Sequence, residues 1–294
     1  MKKRILVTGA TGFVGQNLVP CLKRFGKEVE ICVPCRDVEK GKNMFPEECV
    51  IPSDSYDEIK RFNPHITIHL AGYITSSDDT KEIEPLIDAN LKYGAKLLDA
   101  LSHCSAMQLF VNTGSFSEYD ERHNFCSAYL YSATKSAFRP ILEYYAGKAG
   151  FRYATAVLYS VYGGKQTIKR IMDYMMEALD APVPVDMTPG EQRLDFIHMD
   201  DVCDFFTTIV RRAADVENGK DFHVGKGKTS TLKDLASVIE EVTGKRANIN
   251  WGGRNYRPND IMYACAPKET IDEIGWKART DLREGVNKMI NARI

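Results

Sequence analysis

Three things are scarce in this sequence, and each scarcity closes off a class of function. An excess of charge of one sign is missing: 39 Lys and Arg stand against 40 Asp and Glu, a net charge of −1. Without a basic surplus there is no electrostatic case for a nucleic acid partner or an anionic membrane surface. Long apolar runs are missing as well. The basic start Met1-Lys2-Lys3-Arg4 is followed by apolar residues only as far as Val7, too short for the core of a signal peptide. No stretch approaches the length of a membrane span, so a cytoplasmic location is expected. Paired cysteines are the third scarcity. Eight are scattered at 21, 32, 35, 49, 104, 126, 203 and 265. Only Cys32-Val33-Pro34-Cys35 has C-x-x-C spacing. No second pair completes a zinc site, and the first thiol closes a strand instead of opening a helix. Cys32 and Cys35 are therefore expected to be ordinary buried or half-buried thiols, and no metal is expected.

What is present begins almost at once. The apolar run Arg4 to Val7 reads as a buried parallel strand. It ends in Thr8-Gly9-Ala10-Thr11-Gly12-Phe13-Val14-Gly15, with glycine at every third position. Phe13 to Phe25 then reads as an amphipathic helix with Phe13, Val14, Leu18, Cys21 and Leu22 on one side, interrupted by Pro20. A glycine-rich turn between strand and helix lets backbone approach a pyrophosphate, and the helix N-terminus offers free N–H groups and partial positive charge to it. A dinucleotide is the expected ligand. Val29 to Val33 is the second strand. A site for NAD usually places an acid at its tip to hold the ribose 2′-OH. The tip here is Pro34-Cys35-Arg36, and Arg36 suits a 2′-phosphate. NADP is thus the expected cofactor and NAD the alternative, because Asp37 also lies within reach of the ribose.

Ile66 to Leu70 is another strand, followed by the small residues Ala71 and Gly72 beside the cofactor. The hydroxyls of Thr75-Ser76-Ser77 suit either a polyol contact or a turn. A long helix is predicted over Glu82 to Leu101, strands over Leu109 to Asn112 and Phe151 to Leu158, and a helix over Thr167 to Leu179 with Met172, Met175 and Met176 facing core. Strands alternating with helices give an α/β fold with a doubly wound parallel sheet. Between them lie Ser115 and, four residues apart on one helix face, Tyr131 and Lys135. A lysine beside a phenol favours phenolate, and a nearby hydroxyl can share the same substrate oxygen. Ser115, Tyr131 and Lys135 together form a proton donor and acceptor for an alcohol or ketone carbon beside a nicotinamide.

With these residues in view, the chain resembles the extended short-chain dehydrogenase/reductase family, the nucleotide-sugar epimerases, dehydratases and ketoreductases. The resemblance rests on the glycine motif, His69-Leu70-Ala71-Gly72, Asn90 before Gly94, Ser115 before Tyr119, Tyr131 with Lys135, Tyr162-Gly163, Asp195 to Val202, and Arg257-Pro258-Asn259-Asp260. It implies that Gly9, Thr11, Gly12, Phe13, Val14, Gly15, Leu70, Ala71 and Gly72 surround the cofactor. It also implies that Ser115 and Tyr131 contact the reacting oxygen, and that Lys135 holds the nicotinamide ribose. Thr75, Ser117 and Ser160 would contact substrate. Arg193 and Arg257 would clamp a nucleoside diphosphate, as guanidinium forks do. Asn90, Asp195, His198 and His223 are expected to be structural.

The departures narrow the reaction. Dehydratases of the family carry Asp-Glu directly after the hydroxyl residue, where this chain has Phe116 and Ser117. The 3,5-epimerising reductases carry cysteine at Ser117. The expected activity is a nucleoside-diphosphate-sugar 4-ketoreductase. A 4-epimerase with tightly bound NAD is the alternative, and a non-catalytic redox regulator the third reading. The Rossmann-type domain is expected over 1–162 with 190–224 returning to it, and a substrate lobe over 163–189 and 225–294. A homodimer is expected through the helices from Glu82 and around Tyr131, using Ile83, Leu86, Leu91, Leu97, Ile141 and Tyr145.

Overall fold

The computed structural model describes residues 2–165, 169–267 and 274–291. The first half alternates strands with helical segments. β1 (Lys3–Thr8), α1 (Phe13–Lys23), β2 (Val29–Cys35), α2 (Val38–Met44), β3 (Cys49–Pro52), α3 (Tyr56–Phe62) and β4 (Ile66–His69) come first. They are followed by α4 (Ile83–Ile87), α5 (Tyr93–Leu101), β5 (Leu109–Ser115), α6 (Leu130–Ala149) and β6 (Arg152–Leu158). The strands are near-continuous apolar runs because both faces of the sheet are covered.

All six of these strands, joined by β10 (Lys220–Val224), form one parallel sheet in the order β10-β6-β5-β4-β1-β2-β3. The chain winds one way from β1 to β3 and the other way from β4 outward. The reversal lies between β1 and β4, where Thr8 pairs with His69. A crevice opens there at the carboxyl ends of the strands, which is where ligands bind in open α/β sheets. One face is covered by α1 and α8 (Met199–Arg211), which bury Leu18, Leu22, Phe205 and Phe206. The other is covered by α3, α5 and α6 around Leu97, Leu98, Phe110, Phe138 and Leu142.

The remaining elements build a second, smaller core. β7 (Ser160–Tyr162), α7 (Ile171–Ala178), β8 (Val185–Met187) and β9 (Arg193–His198) precede α8, and β11 (Thr229–Thr231), α9 (Leu232–Thr243), β12 (Ile249–Trp251), β13 (Tyr263–Ala264) and α10 (Leu282–Asn291) follow β10. β9 is the hub, pairing with β7, β11 and β13, and β12 pairs with β8. Met172 and Met175 are buried there with Leu235, Ile239 and Met289, so these methionines face core. α9 begins on a reciprocal cap, Thr231 Oγ accepting from the Asp234 N–H at 2.9 Å and Asp234 Oδ2 from the Thr231 N–H at 2.9 Å.

Several boundaries differ from the sequence reading. β2 runs on through Pro34 to Cys35, and Cys32 and Cys35 are both buried in it. The single helix expected from Glu82 is α4 and α5 joined by a π-turn over Asp88–Lys92, which turns Asn90 inward. α7 starts at Ile171, and Thr167 lies outside the described residues. Pro20 and Pro140 sit on the exposed sides of α1 and α6, and both helices continue through them. Among the described residues no helix is long and apolar enough to cross a membrane.

Candidate active site

The glycine motif sits at the mouth of the crevice. Gly9 has φ +67°, and a Cβ there would lie 2.6 Å from the Ala71 backbone nitrogen, so only glycine lets β1 turn against the end of β4. A Cβ on Gly15 would collide with the Gly9 carbonyl and the Ala10 backbone, which is why α1 can lie so close to its strand. Gly12 precedes the first turn of α1, which has no side-chain cap and no acidic residue. The leading N–H groups at Phe13 and Val14 are thus left for an anion. Thr8 Oγ1 bonds His69 Nδ1 at 2.8 Å and accepts from the Ala71 N–H at 3.3 Å, tying the two strand ends together. Burial holds His69 neutral, its pKa pushed down to about 3, so that it is a structural group.

Asn90 clamps the opposite wall. Its Oδ1 accepts from the Tyr73 N–H at 2.8 Å, and its Nδ2 donates to the Tyr73 carbonyl at 3.0 Å and to Thr134 Oγ1 at 2.9 Å. This joins the loop after β4 to α6. A Cβ on Gly72 would come within 2.9 Å of Asn90 Oδ1 and 3.3 Å of Lys135 Nζ, so the bare Gly72 backbone leaves room for the lysine head. Lys135 is only 6% exposed. Burial lowers its pKa to about 8, with Arg139 acting in the same direction and Glu118 opposing.

Ser115 closes β5 and faces Tyr131 in the first turn of α6. The Ser115 hydroxyl shares a hydrogen bond with Ser117 Oγ at 2.8 Å and lies close enough to the Tyr131 phenol to favour its ionised form. Burial and the Glu118 carboxylate raise the Tyr131 pKa, while Ser115 and the Arg170 guanidinium pull it back. Strand end and helix start thus bring Ser115, Tyr131 and Lys135 to one point beside the glycine loop. Phe116 turns away to stack on Tyr159, centroids 5.7 Å apart.

Four participants here were not singled out from the sequence. Glu118 is completely buried under Ser115, accepting from its N–H at 2.7 Å. Arg139 on α6 donates to Glu118 at 3.0 Å and to both oxygens of Asp221 on β10 at 2.8 and 2.9 Å. Arg170, just before α7, stacks on the Phe13 ring at 4.3 Å. The signal for Arg139 was its place four residues after Lys135, one turn along the same helix face.

The candidate substrate contacts are held less firmly. Thr75 Oγ1 accepts from the Ser77 N–H at 3.0 Å, which spends it on a turn. Ser160 is half-buried at the start of β7. Arg193 and Arg257 are exposed on the smaller lobe. Arg257 reaches across to the Ser76 carbonyl at 3.4 Å, and Asp260 accepts from the Tyr129 hydroxyl at 3.3 Å, so the lobe closes over the crevice at these two points. Arg36 is exposed just past β2, while Asp37 caps α2 by accepting from the Lys40 N–H at 2.9 Å. Asp195, His198 and His223 are buried structural groups. Asp195 accepts from the backbone of Lys226, Gly227 and Ala266, His198 caps α8, and His223 bonds the Tyr159 hydroxyl at 3.1 Å. Among the described residues no cluster of ligands could hold a metal ion.

Sheet order, glycine turn and a Ser/Tyr/Lys set at the strand ends define a Rossmann-type oxidoreductase of the extended short-chain dehydrogenase class. The profile of the NAD dependent epimerase/dehydratase family matches residues 5–225, and the chain belongs to that family. It is similar to the CDP-abequose synthase of Salmonella typhimurium strain LT2, 28% identical over 99% of this chain and 98% of that one. The CDP-abequose synthase of Yersinia pseudotuberculosis is 26% identical over 98% and 99%. Among solved structures, MoeE5 in complex with UDP-glucuronic acid and NAD superposes with a TM-score of 0.84, at 24% identity and 98% coverage of both chains.

Proposed function

We propose that this enzyme is a nucleoside-diphosphate-sugar 4-ketoreductase that uses NADPH. The observation that carries the reading is the convergence of Ser115, Tyr131 and Lys135 beside an uncapped helix N-terminus, with Phe116 and Ser117 where elimination would need an acid and a base. A nicotinamide dinucleotide held by Gly9 to Gly15 and Leu70 to Gly72 would supply the hydride. Tyr131 donates its phenolic proton to the sugar ketone oxygen. Ser115 hydrogen-bonds the same oxygen and aligns it. Lys135, buried beside Gly72, donates to the ribose hydroxyls and steadies the charge left on the phenol. Glu118 cannot stand in as the missing acid of a dehydratase, because Arg139 and the Ser115 N–H occupy its oxygens.

NADPH is favoured over NADH because Asp37 is engaged in capping α2 while Arg36 projects free of that cap. Arg193 and Arg257 are assigned to the diphosphate, and Thr75, Ser117 and Ser160 to the sugar. Relatives named for a CDP-linked sugar make a CDP-4-keto sugar the first substrate to try. The smaller lobe, expected over 163–189 and 225–294 and joined in the fold by β9 with Arg193, is assigned to the nucleotide sugar. A 4-epimerase is the second reading, supported by the family description and by the same three residues serving alcohol oxidation. A homodimer is proposed through α4 and α6, whose outer faces leave Ile83 43% and Tyr144 63% exposed. Leu86 and Leu97 do not belong to that face, since both are buried within the chain.

The deciding experiment combines nucleotide analysis with turnover. Purified protein should carry little bound dinucleotide and oxidise NADPH when given a CDP-4-keto sugar. Tightly retained NAD, with interconversion of two alcohol sugars and no net NADPH consumption, would make it an epimerase.

A further inference from the structure

Beneath the reacting groups lies a set of charges that does not balance. Arg139 is shared between two carboxylates, Glu118 at 3.0 Å and Asp221 at 2.8 Å. Its guanidinium also donates to the Tyr119 hydroxyl at 2.9 Å, and Tyr119 donates to Asp221 at 2.6 Å. One cation and two anions leave one net negative charge. The deeper anion, Glu118, has no exposed side-chain surface and lies directly under Ser115. Room for it is made by Gly114, where a Cβ would fall 2.7 Å from Glu118 Oε1 and 3.2 Å from Arg139 Nη2. One turn from Arg139 on the same helix is Lys135, buried and with no ion pair of its own among the described residues. A buried ammonium without a counter-charge is costly. Glu118 is the carboxylate of this set whose charge acts on the Lys135 ammonium.

We propose that Glu118, neutralised only in part by Arg139, is a positioning residue that holds Ser115 in place and biases the Tyr131–Lys135 pair toward proton donation, setting the site for ketone reduction over alcohol oxidation. Oxidation of an alcohol must begin with a base, and reduction of a ketone must end with an acid. A fixed anion beside the phenol disfavours phenolate and favours ammonium, which keeps both protons in the site. The groups acting on Tyr131 are Ser115 at the end of β5, Glu118 in the turn after it, and Arg170 from the segment before α7, with Lys135 one turn along its own helix. Those facing Glu118 are Ser136 and Arg139 on α6, with Tyr119 and Asp221 one step further out. Of these, only Glu118 and Asp221 are anions, and only Glu118 is in the first layer. The inference rests on the reading of Tyr131 as the proton donor.

The test reads the phenol itself, without substrate. The ultraviolet absorbance change of Tyr131 ionisation is obtained as the difference between each protein and its Tyr131→Phe partner, with oxidised nicotinamide dinucleotide bound. Glu118→Gln keeps an acceptor for the Ser115 N–H and removes the charge, so the ionisation midpoint should fall by roughly one pH unit or more. Glu118→Asp keeps the charge and retracts the acceptor. Its midpoint should stay near wild type while turnover drops. Asp221→Asn, at the sheet edge, should move the midpoint in the same direction by less, and it serves if Glu118→Gln does not fold. An unchanged midpoint in a folded Glu118→Gln or Asp221→Asn protein overturns the inference, as does a Glu118→Asp shift equal to that of Glu118→Gln. Failure of the broader reading is a separate result, namely Tyr131→Phe retaining full turnover.

Discussion

The two walls of the crevice are built on different terms. On the large-sheet wall the groups assigned to the chemistry are backed by buried neighbours: Ser115 by Glu118, Lys135 by the gap at Gly72, and the loop after β4 by Asn90 and Thr8. On the small-lobe wall Arg193 and Arg257 stand exposed, and Arg257 touches the opposite rim through one long bond to a carbonyl. The proposed chemistry falls on the first wall, where packing holds groups in place as proton transfer requires. The second carries the groups proposed for recognition, which stand open to a charged ligand. On the proposed reading, reaction type rests on packed geometry and substrate identity on exposed groups that contribute little to the fold's stability.

That contrast predicts a hierarchy of effects. The largest belongs to Tyr131→Phe, which removes one oxygen from the packed wall. Single-turnover rates should fall by about 10²–10⁴, the range for loss of a general acid, with cofactor affinity nearly unchanged. Lys135→Met should lower rate and cofactor affinity together, which fluorescence titration of the reduced dinucleotide would separate from the tyrosine's effect on rate alone.

Arg36→Ala comes next. The preference for NADPH over NADH should shrink by about ten- to a hundredfold, the worth of one charge-assisted contact of about 1.5–3 kcal/mol. Equal binding of the two cofactors by the wild type would remove the case for this arginine. The smallest effect is expected at Arg257, on the loosely held wall. Arg257→Ala should raise KM for the nucleotide sugar about tenfold while leaving kcat within about twofold, since an exposed group contributes at the weak end of that range. A collapse of kcat at Arg257 would mean that the two walls are not separable.

Much of the packed wall was legible along the chain because its residues are close in sequence or fall on a fixed period. Gly9, Gly12 and Gly15 follow one strand and open one helix, and Tyr131 and Lys135 are one helical turn apart. Most strands of the main sheet were readable for the same reason, being apolar runs bounded by breakers, but the short edge strand β3 was not. The break at Asp88–Lys92 was not, because a π-turn leaves no mark in apolar periodicity. The exposed sides taken by Pro20 and Pro140 depend on how α1 and α6 lie against the sheet.

By itself, the sequence determined that this chain is a Rossmann-type protein with a dinucleotide loop and a Ser/Tyr/Lys set, because each of those features is local and each glycine answers a local steric demand. Tertiary structure alone decided what surrounds them. Glu118, Arg139 and Asp221 are separated by 21 and 82 residues, and nothing in their spacing announces that one guanidinium bridges both carboxylates. They meet because β5 and β10 flank β6 in the sheet and α6 packs over β5 and β6, from where Arg139 reaches β10. Charges so far apart in the chain interact only once folding removes the water between them, and that is where the proton balance of the site is set.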